Sequence, residues 1–160
     1  MAVHKLYIDE FDEIDYQLIA IHTSLEDYRL AFFINQKLPV LLGKSKDGIQ
    51  ITSKNGSSFL SRYMFEDAEK SISWNLLQNK SEISRNTIST TADLFARENI
   101  KVAAKAYLLP EFKTVDYFLQ LQNTEEPSVH ITDALQQIEQ VTMSYTVDMS
   151  RIKSKNNLIF

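Results

Sequence analysis

Between residues 131 and 149 the hydrophobic period of the chain changes from 3.6 to 2. Ile131, Ala134, Leu135 and Ile138 fall at i, i+3, i+4 and i+7, the stripe of an amphipathic helix. Val141, Met143, Tyr145, Val147 and Met149 then alternate without a miss, the pattern of a half-buried strand. Only two residues, Glu139 and Gln140, separate the two regimes. A helix cannot bury its stripe alone, and the strand that follows supplies one element of a sheet for it to pack on. The spacing therefore predicts a helix docked on a sheet, with both made from one short stretch of chain.

The same order occurs near the other end. Residues 14–23, IDYQLIAIHT, read as a buried strand, and SLEDYRLAFFINQKL follows with a helix start signal. Ser24 is placed as N-cap, with Asp27 in a capping-box arrangement and Glu26 adding negative charge in the first turn. Leu30, Ala31, Phe33 and Ile34 share one side, and Pro39 closes the segment. All three glycines, Gly43, Gly48 and Gly56, lie in the turn-rich stretch that comes next, where Asn55-Gly56 predicts a hairpin. Strands are expected over 59–66 and 71–78. Phe59, Tyr63 and Phe65 share one face of the first, and Ile72, Trp74 and Leu76 one face of the second. Residues 79–100 are polar and aperiodic and read as a loop, with a short element around 92–96. Strands over 101–109 and 115–122 flank PEFKT, a connection of hairpin length.

Laid out, this is an α+β chain: a mostly antiparallel sheet with two helices on one face, in ferredoxin-like or ACT-like topology with an extra hairpin at an edge. One domain over 1–150 is expected, with 151–160 as a basic and apolar C-terminal tail. The chain has 160 residues, 44% of them hydrophobic, enough for a core without a metal or disulfide staple. It has no cysteine, which removes thiolate ligands and a thiol nucleophile and suits a reducing compartment. No apolar stretch is long enough for a membrane span. The net charge of −4 weighs against nucleic acid as a partner, because such proteins present basic faces to phosphates. The expected setting is cytoplasmic and soluble.

One phrase is written twice. EFDEIDYQL begins at Glu10 and EFKTVDYFL begins at Glu111, each opening a strand that leads into a helix. Equivalent placement would turn Tyr16 and Tyr117 into the core and set Asp15 and Asp116 on the opposite face. Glu111, Asp116, Glu10 and Asp15 are accordingly the candidate binding residues, lining one surface of a pseudo-symmetric fold.

Leu109, Pro110, Glu111, three variable residues, Val115, Asp116 and Tyr117 resemble the signature of the bacterial IPExxxVDY family, with Leu109 where its name has Ile. The opening MAVHKL, the stretch IAIHTSLEDYRLAFFIN and the closing KSKNNLIF are similar to that family as well, so the resemblance spans the chain. It implies a bacterial, cytoplasmic protein whose gene neighbours those for ribonuclease III and pyruvate kinase, and it assigns no catalytic residue.

Other motifs carry less. The acidic run Asp9, Glu10, Asp12, Glu13, Asp15 lacks the glycine and terminal glutamate of a calcium loop, so no metal is expected. His4, His22 and His130 have no ligand spacing. Gly43-Lys44-Ser45 lacks the earlier glycine of a phosphate loop, and no nucleophile elbow is present. Tyr28, Phe32, Phe33, Phe59, Tyr63, Phe65 and Trp74 sit at core spacings. Catalytic residues and cofactors are therefore expected to be none. The leading expectation is a non-enzymatic domain acting by protein–protein association with an unknown protein partner, or as a homodimer through an exposed sheet edge. Two alternatives stand beside it. One is a small-ligand regulatory domain, since VDYFLQLQ…ITDALQQIEQVTMSYTVD resembles the strand–helix–strand half of ACT domains, although Ser24 and Ser128 stand near where those domains carry a loop glycine. The other is an accessory factor in RNA processing.

Overall fold

The structure, a computed structural model, describes residues 16–53, 56–83 and 104–160. Among the described residues six strands form one antiparallel sheet in the order β10-β1-β9-β6-β5-β2. The strands are β1 (Tyr16–Thr23), β2 (Gly43–Lys44), β5 (Arg62–Asp67), β6 (Ile72–Gln78), β9 (Tyr117–Gln122) and β10 (Val141–Thr146). Both helices, α1 (Asp27–Lys37) and α2 (Ser128–Gln136), cover one face. Leu30, Ala31 and Ile34 of α1, with Ile131 and Leu135 of α2 and the following Ile138, pack on Ile19, Ile21, Trp74, Leu76, Leu119 and Leu121. The α+β class, the antiparallel sheet and the two helices on one face follow the periodicity that the sequence displays.

The other face is not open. Two short two-stranded sheets lie beside it: β3 (Ile49–Ser53) with β4 (Gly56–Leu60), and β7 (Lys80–Ile83) with β8 (Ala104–Tyr107). Ile49 and Leu60 of the first join Leu18, Ala20, Leu77 and Phe118 of the sheet in a second core cluster. The extra hairpin therefore covers a face, where an edge position was expected. The register sets Gly56 opposite Ser53 as the first residue of β4 and not at a central position of the turn as expected, and its φ of +127° is a value that side chains strain to adopt. Gly48 is also required, because a Cβ there would meet the Leu60 carbonyl oxygen at 2.9 Å.

Four expectations change in detail. Residues 108–116 do not connect a hairpin: β8 pairs with β7, whereas β9 sits between β1 and β6 in the main sheet. The helix α1 starts at Asp27 with Glu26 as its N-cap residue, because the hydroxyl of Thr23 accepts the Leu25 N–H (3.1 Å) and holds the connection in a turn through Ser24. The clean alternation of 141–149 is broken by a bulge opposite the His22–Thr23 step. Val141 and Ser144 are thereby buried while Met143 is exposed. Residues 151–160 are not a detached tail, since Ile152 and Leu158 belong to the second cluster.

The repeated phrase also behaves differently from its reading. β1 and β9 are antiparallel neighbours, so Tyr16 stands opposite Gln122 and Tyr117 opposite Ile21, at opposite ends of the pair. Their faces differ too: Tyr117 packs with the helix-side cluster and Tyr16 against the second one. The two copies are one residue out of phase with the pleat.

Candidate functional site

The signature stretch builds a buried turn around one asparagine. After β8, Leu108 and Leu109 are fully buried, and Pro110 opens a 3-10 turn over Pro110–Phe112, where its missing N–H costs nothing. Phe112 N–H donates to Leu109 O (2.9 Å) and Val115 N–H to Phe112 O (3.2 Å). The rest of the turn's polar backbone converges on Asn79, which is completely buried. Its side-chain amide donates to Phe112 O (2.9 Å) and Val115 O (2.8 Å), and its Oδ1 accepts the Leu109 N–H (2.9 Å). Its backbone completes the circle, with Asn79 N–H donating to Asp116 O and Leu108 N–H to Asn79 O. An amide is the one neutral side chain of this size that donates twice and accepts as well.

The polar groups of the motif then reach out and fasten neighbouring segments. Glu111 accepts the backbone N–H groups of Lys153 and Ser154 at 2.8 Å each, and the Ser154 hydroxyl at 3.0 Å. Burial alone would raise the Glu111 carboxyl, but those donors outweigh it and hold the group below the usual carboxylate range. Asp116 accepts the Thr23 N–H (2.9 Å) and pairs with Lys80 (3.2 Å). Tyr117 donates its hydroxyl to Leu25 O (2.8 Å), and burial pushes its pKa well upward. Thr23 meanwhile donates its hydroxyl to Gln140 O (2.8 Å). The motif thus ties the C-terminal segment and the β1–α1 connection to one turn, and Thr23 links that connection to the one between α2 and β10.

Glu111 and Asp116 lie in the same loop and bond different partners. Glu10 and Asp15 lie outside the described residues, as do the rest of the acidic run and His4. Tyr16, the residue after Asp15, sits at the end of the β1–β9 pair remote from Asp116. His22 is engaged structurally, its ring stacked on Tyr145 at 5.7 Å with Nε2 3.3 Å from the tyrosine hydroxyl. Among the described residues no three His, Asp or Glu side chains are grouped as a metal would need.

The C-terminal segment docks as a strap. Asn157 donates to Leu108 O (2.8 Å), Gln120 donates to Leu158 O (3.4 Å), and the Arg62 guanidinium lies 4.6 Å from the centre of the Phe160 ring. Arg62 also donates to Asn75, whose amide reaches Gln120. Polar groups buried under the strap are therefore paired, as buried groups must be.

The aromatic residues divide against expectation. Tyr63, Trp74 and Tyr117 are buried, but Tyr28 is 58% exposed and Phe32 57% exposed, one turn apart on the outer face of α1, and Phe59 is exposed on β4. Three i, i+3, i+4 readings compete in a helix carrying Tyr28, Leu30, Phe32, Phe33 and Ile34, and only one face can be inward. Phe33 is half-buried and meets Phe32 edge to face, ring centres 5.6 Å apart. Elsewhere a cleft of about 200 Å³ opens between Val40, Phe65, Ile72 and Trp74, with Asp67, Lys70 and Glu125 on its rim.

Comparison with protein-family models, with curated proteins and with solved structures gives no match.

Proposed function

We propose that the chain is a non-enzymatic association domain that binds another protein through the outer face of α1. The carrying observation is the pair Tyr28 and Phe32, each more than half exposed on one helical face. Aromatic side chains are enriched where proteins bind each other, because they bury much area and lose little rotamer entropy. The acids that the sequence singles out support the same reading, since Glu111 and Asp116 already bond backbone groups of their own chain. Nucleic acid is a poorer fit for this face. Arg29 is flanked there by Glu26 and Asp27, and phosphates would meet negative charge at the helix start. A cytoplasmic setting belongs to the proposal and rests on the cysteine-free composition; among the described residues no helix is long and apolar enough to cross a membrane.

The frame of the proposal is ferredoxin-like. The order β10-β1-β9-β6, with α1 after β1 and α2 after β9, supports a βαββαβ unit. On that reading β2–β5 are inserted before β6, and β7 and β8 before β9. A second reading, a small-ligand regulatory domain, draws on the cleft beside Trp74, and a ligand filling it would raise the melting temperature by mass action.

Affinity purification of the full chain from native lysate, with and without nuclease, tests the proposal. A protein recovered by the wild type in both arms, and lost with the Tyr28→Ser/Phe32→Ser double variant, is the expected result. Capture that survives the double variant, or that disappears with nuclease, overturns it.

A further inference from the structure

The two edges of the main sheet are built differently. At one end β2 is only two residues long, Gly43–Lys44, and carries a lysine, a short and charged edge of the kind that resists strand addition. At the other end β10 runs for six residues, Val141–Thr146, as VTMSYT, with no charge, proline or glycine. Among the described residues it pairs with β1 alone.

The register shows which backbone groups this edge offers. Val147 N–H donates to Leu18 O at 2.8 Å, and Tyr145 and Met143 stand opposite Ala20 and His22. The antiparallel alternation therefore turns the N–H and C=O of Ser144 and Thr146 away from β1. Ser144 O accepts the Gln136 side-chain amide at 3.3 Å, and a carbonyl has a second lone pair for another donor. Val141 and Thr142 fall in the bulge and break the regular repeat.

We propose that β10 pairs antiparallel with β10 of a second copy of this chain, about a two-fold axis at Tyr145. A second copy is the occupant because an uncharged strand meets its own image without like-charge repulsion, and antiparallel pairing of identical strands closes on itself. In this register Ser144 stands opposite the second copy's Thr146 and the reverse, giving four hydrogen bonds from the regular part of the strand. An axis at Ser144 would need Thr142, which the bulge displaces. The Tyr145-centred register also brings two tyrosine rings together on one face, a favourable cross-strand pair. This interface is separate from the α1 face, and purified chain suffices to test it.

Sedimentation of the full chain over a wide concentration range is expected to show a reversible monomer–dimer equilibrium. Thr146→Pro removes an N–H that β1 does not use and abolishes the dimer; Thr146→Lys, which adds a charge at the exposed side chain, does the same if the proline variant proves unfolded by circular dichroism. The chain contains no cysteine, so Tyr145→Cys supplies a single thiol. Facing residues at a non-hydrogen-bonded site lie about 4.5 Å apart between Cα atoms, within reach of a disulfide. Oxidised glutathione is expected to cross-link Tyr145→Cys to a covalent dimer and to leave Met143→Cys monomeric on a denaturing gel. A chain that stays monomeric throughout, or a dimer that persists in both Thr146 variants, overturns the proposal. Cross-linking through Met143→Cys in place of Tyr145→Cys overturns the register.

Discussion

Replacing Asn79 with alanine removes the hub on which the signature turn closes. Three hydrogen bonds leave with the side chain. Phe112 O keeps the Val115 N–H as a partner, so its loss is the mildest. Leu109 N–H and Val115 O keep no other partner among the hydrogen bonds of the turn, and both residues are completely buried. Stranding a buried polar group costs about 1–3 kcal/mol, so two of them give a loss of about 2–6 kcal/mol. That is a large share of the roughly 5–15 kcal/mol by which domains are stable. Urea titration, followed by the fluorescence of Trp74, the chain's single tryptophan, reads the change directly. Asn79→Asp is the informative companion, since it keeps an acceptor for Leu109 and points a second acceptor at two carbonyls. It is expected to be destabilised as well. A loss below about 0.5 kcal/mol in Asn79→Ala at unchanged m-value would refute the role given to this residue.

Two further outcomes are expected. Leu135 is fully buried beneath α2, and Leu135→Ala is expected to cost about 2–5 kcal/mol by leaving a cavity, measured by the same titration. Glu111 has a folded pKa held below its ordinary value, so its contribution is complete above the unfolded carboxylate range, roughly pH 4.3. It is lost as pH falls through the lower folded value. The stability gap between wild type and Glu111→Gln should therefore be constant near neutrality and close in acid; a gap that widens below pH 4 would contradict the assigned bonds.

The sequence displays the helix-side half of this molecule and conceals the other half. Ile131, Leu135 and Ile138, with Trp74, Leu76, Leu119 and Leu121, announce themselves by period because helix and strand bury one regular face each. The second face is closed by the β3–β4 hairpin, a 3-10 turn and a strap, which are short and irregular and carry no long period. Asn79 is the clearest case: it looks like the first polar residue of a loop and is completely buried. Glu111 and Asp116 stand out in the sequence, but a carboxylate that binds a partner and one that binds its own backbone are written alike. Tyr28 and Phe32 were hidden by abundance, because α1 holds more apolar residues than its inward face accommodates. The bulge at 141–143 left no mark, since backbone irregularity needs no particular side chain.

Asp116→Ala separates a fold constraint from a site most directly. The substitution strands the Thr23 N–H, which is buried, and removes the half-exposed pair with Lys80. The first loss is worth about 1–3 kcal/mol and the second about 0–1 kcal/mol. If the signature fastens the fold, the unfolding free energy by urea titration drops by at least about 1 kcal/mol, and the variant that remains folded still captures the partner of the α1 face. Stability within about 0.5 kcal/mol of wild type, together with lost capture, would make Asp116 part of a binding site and contradict the account.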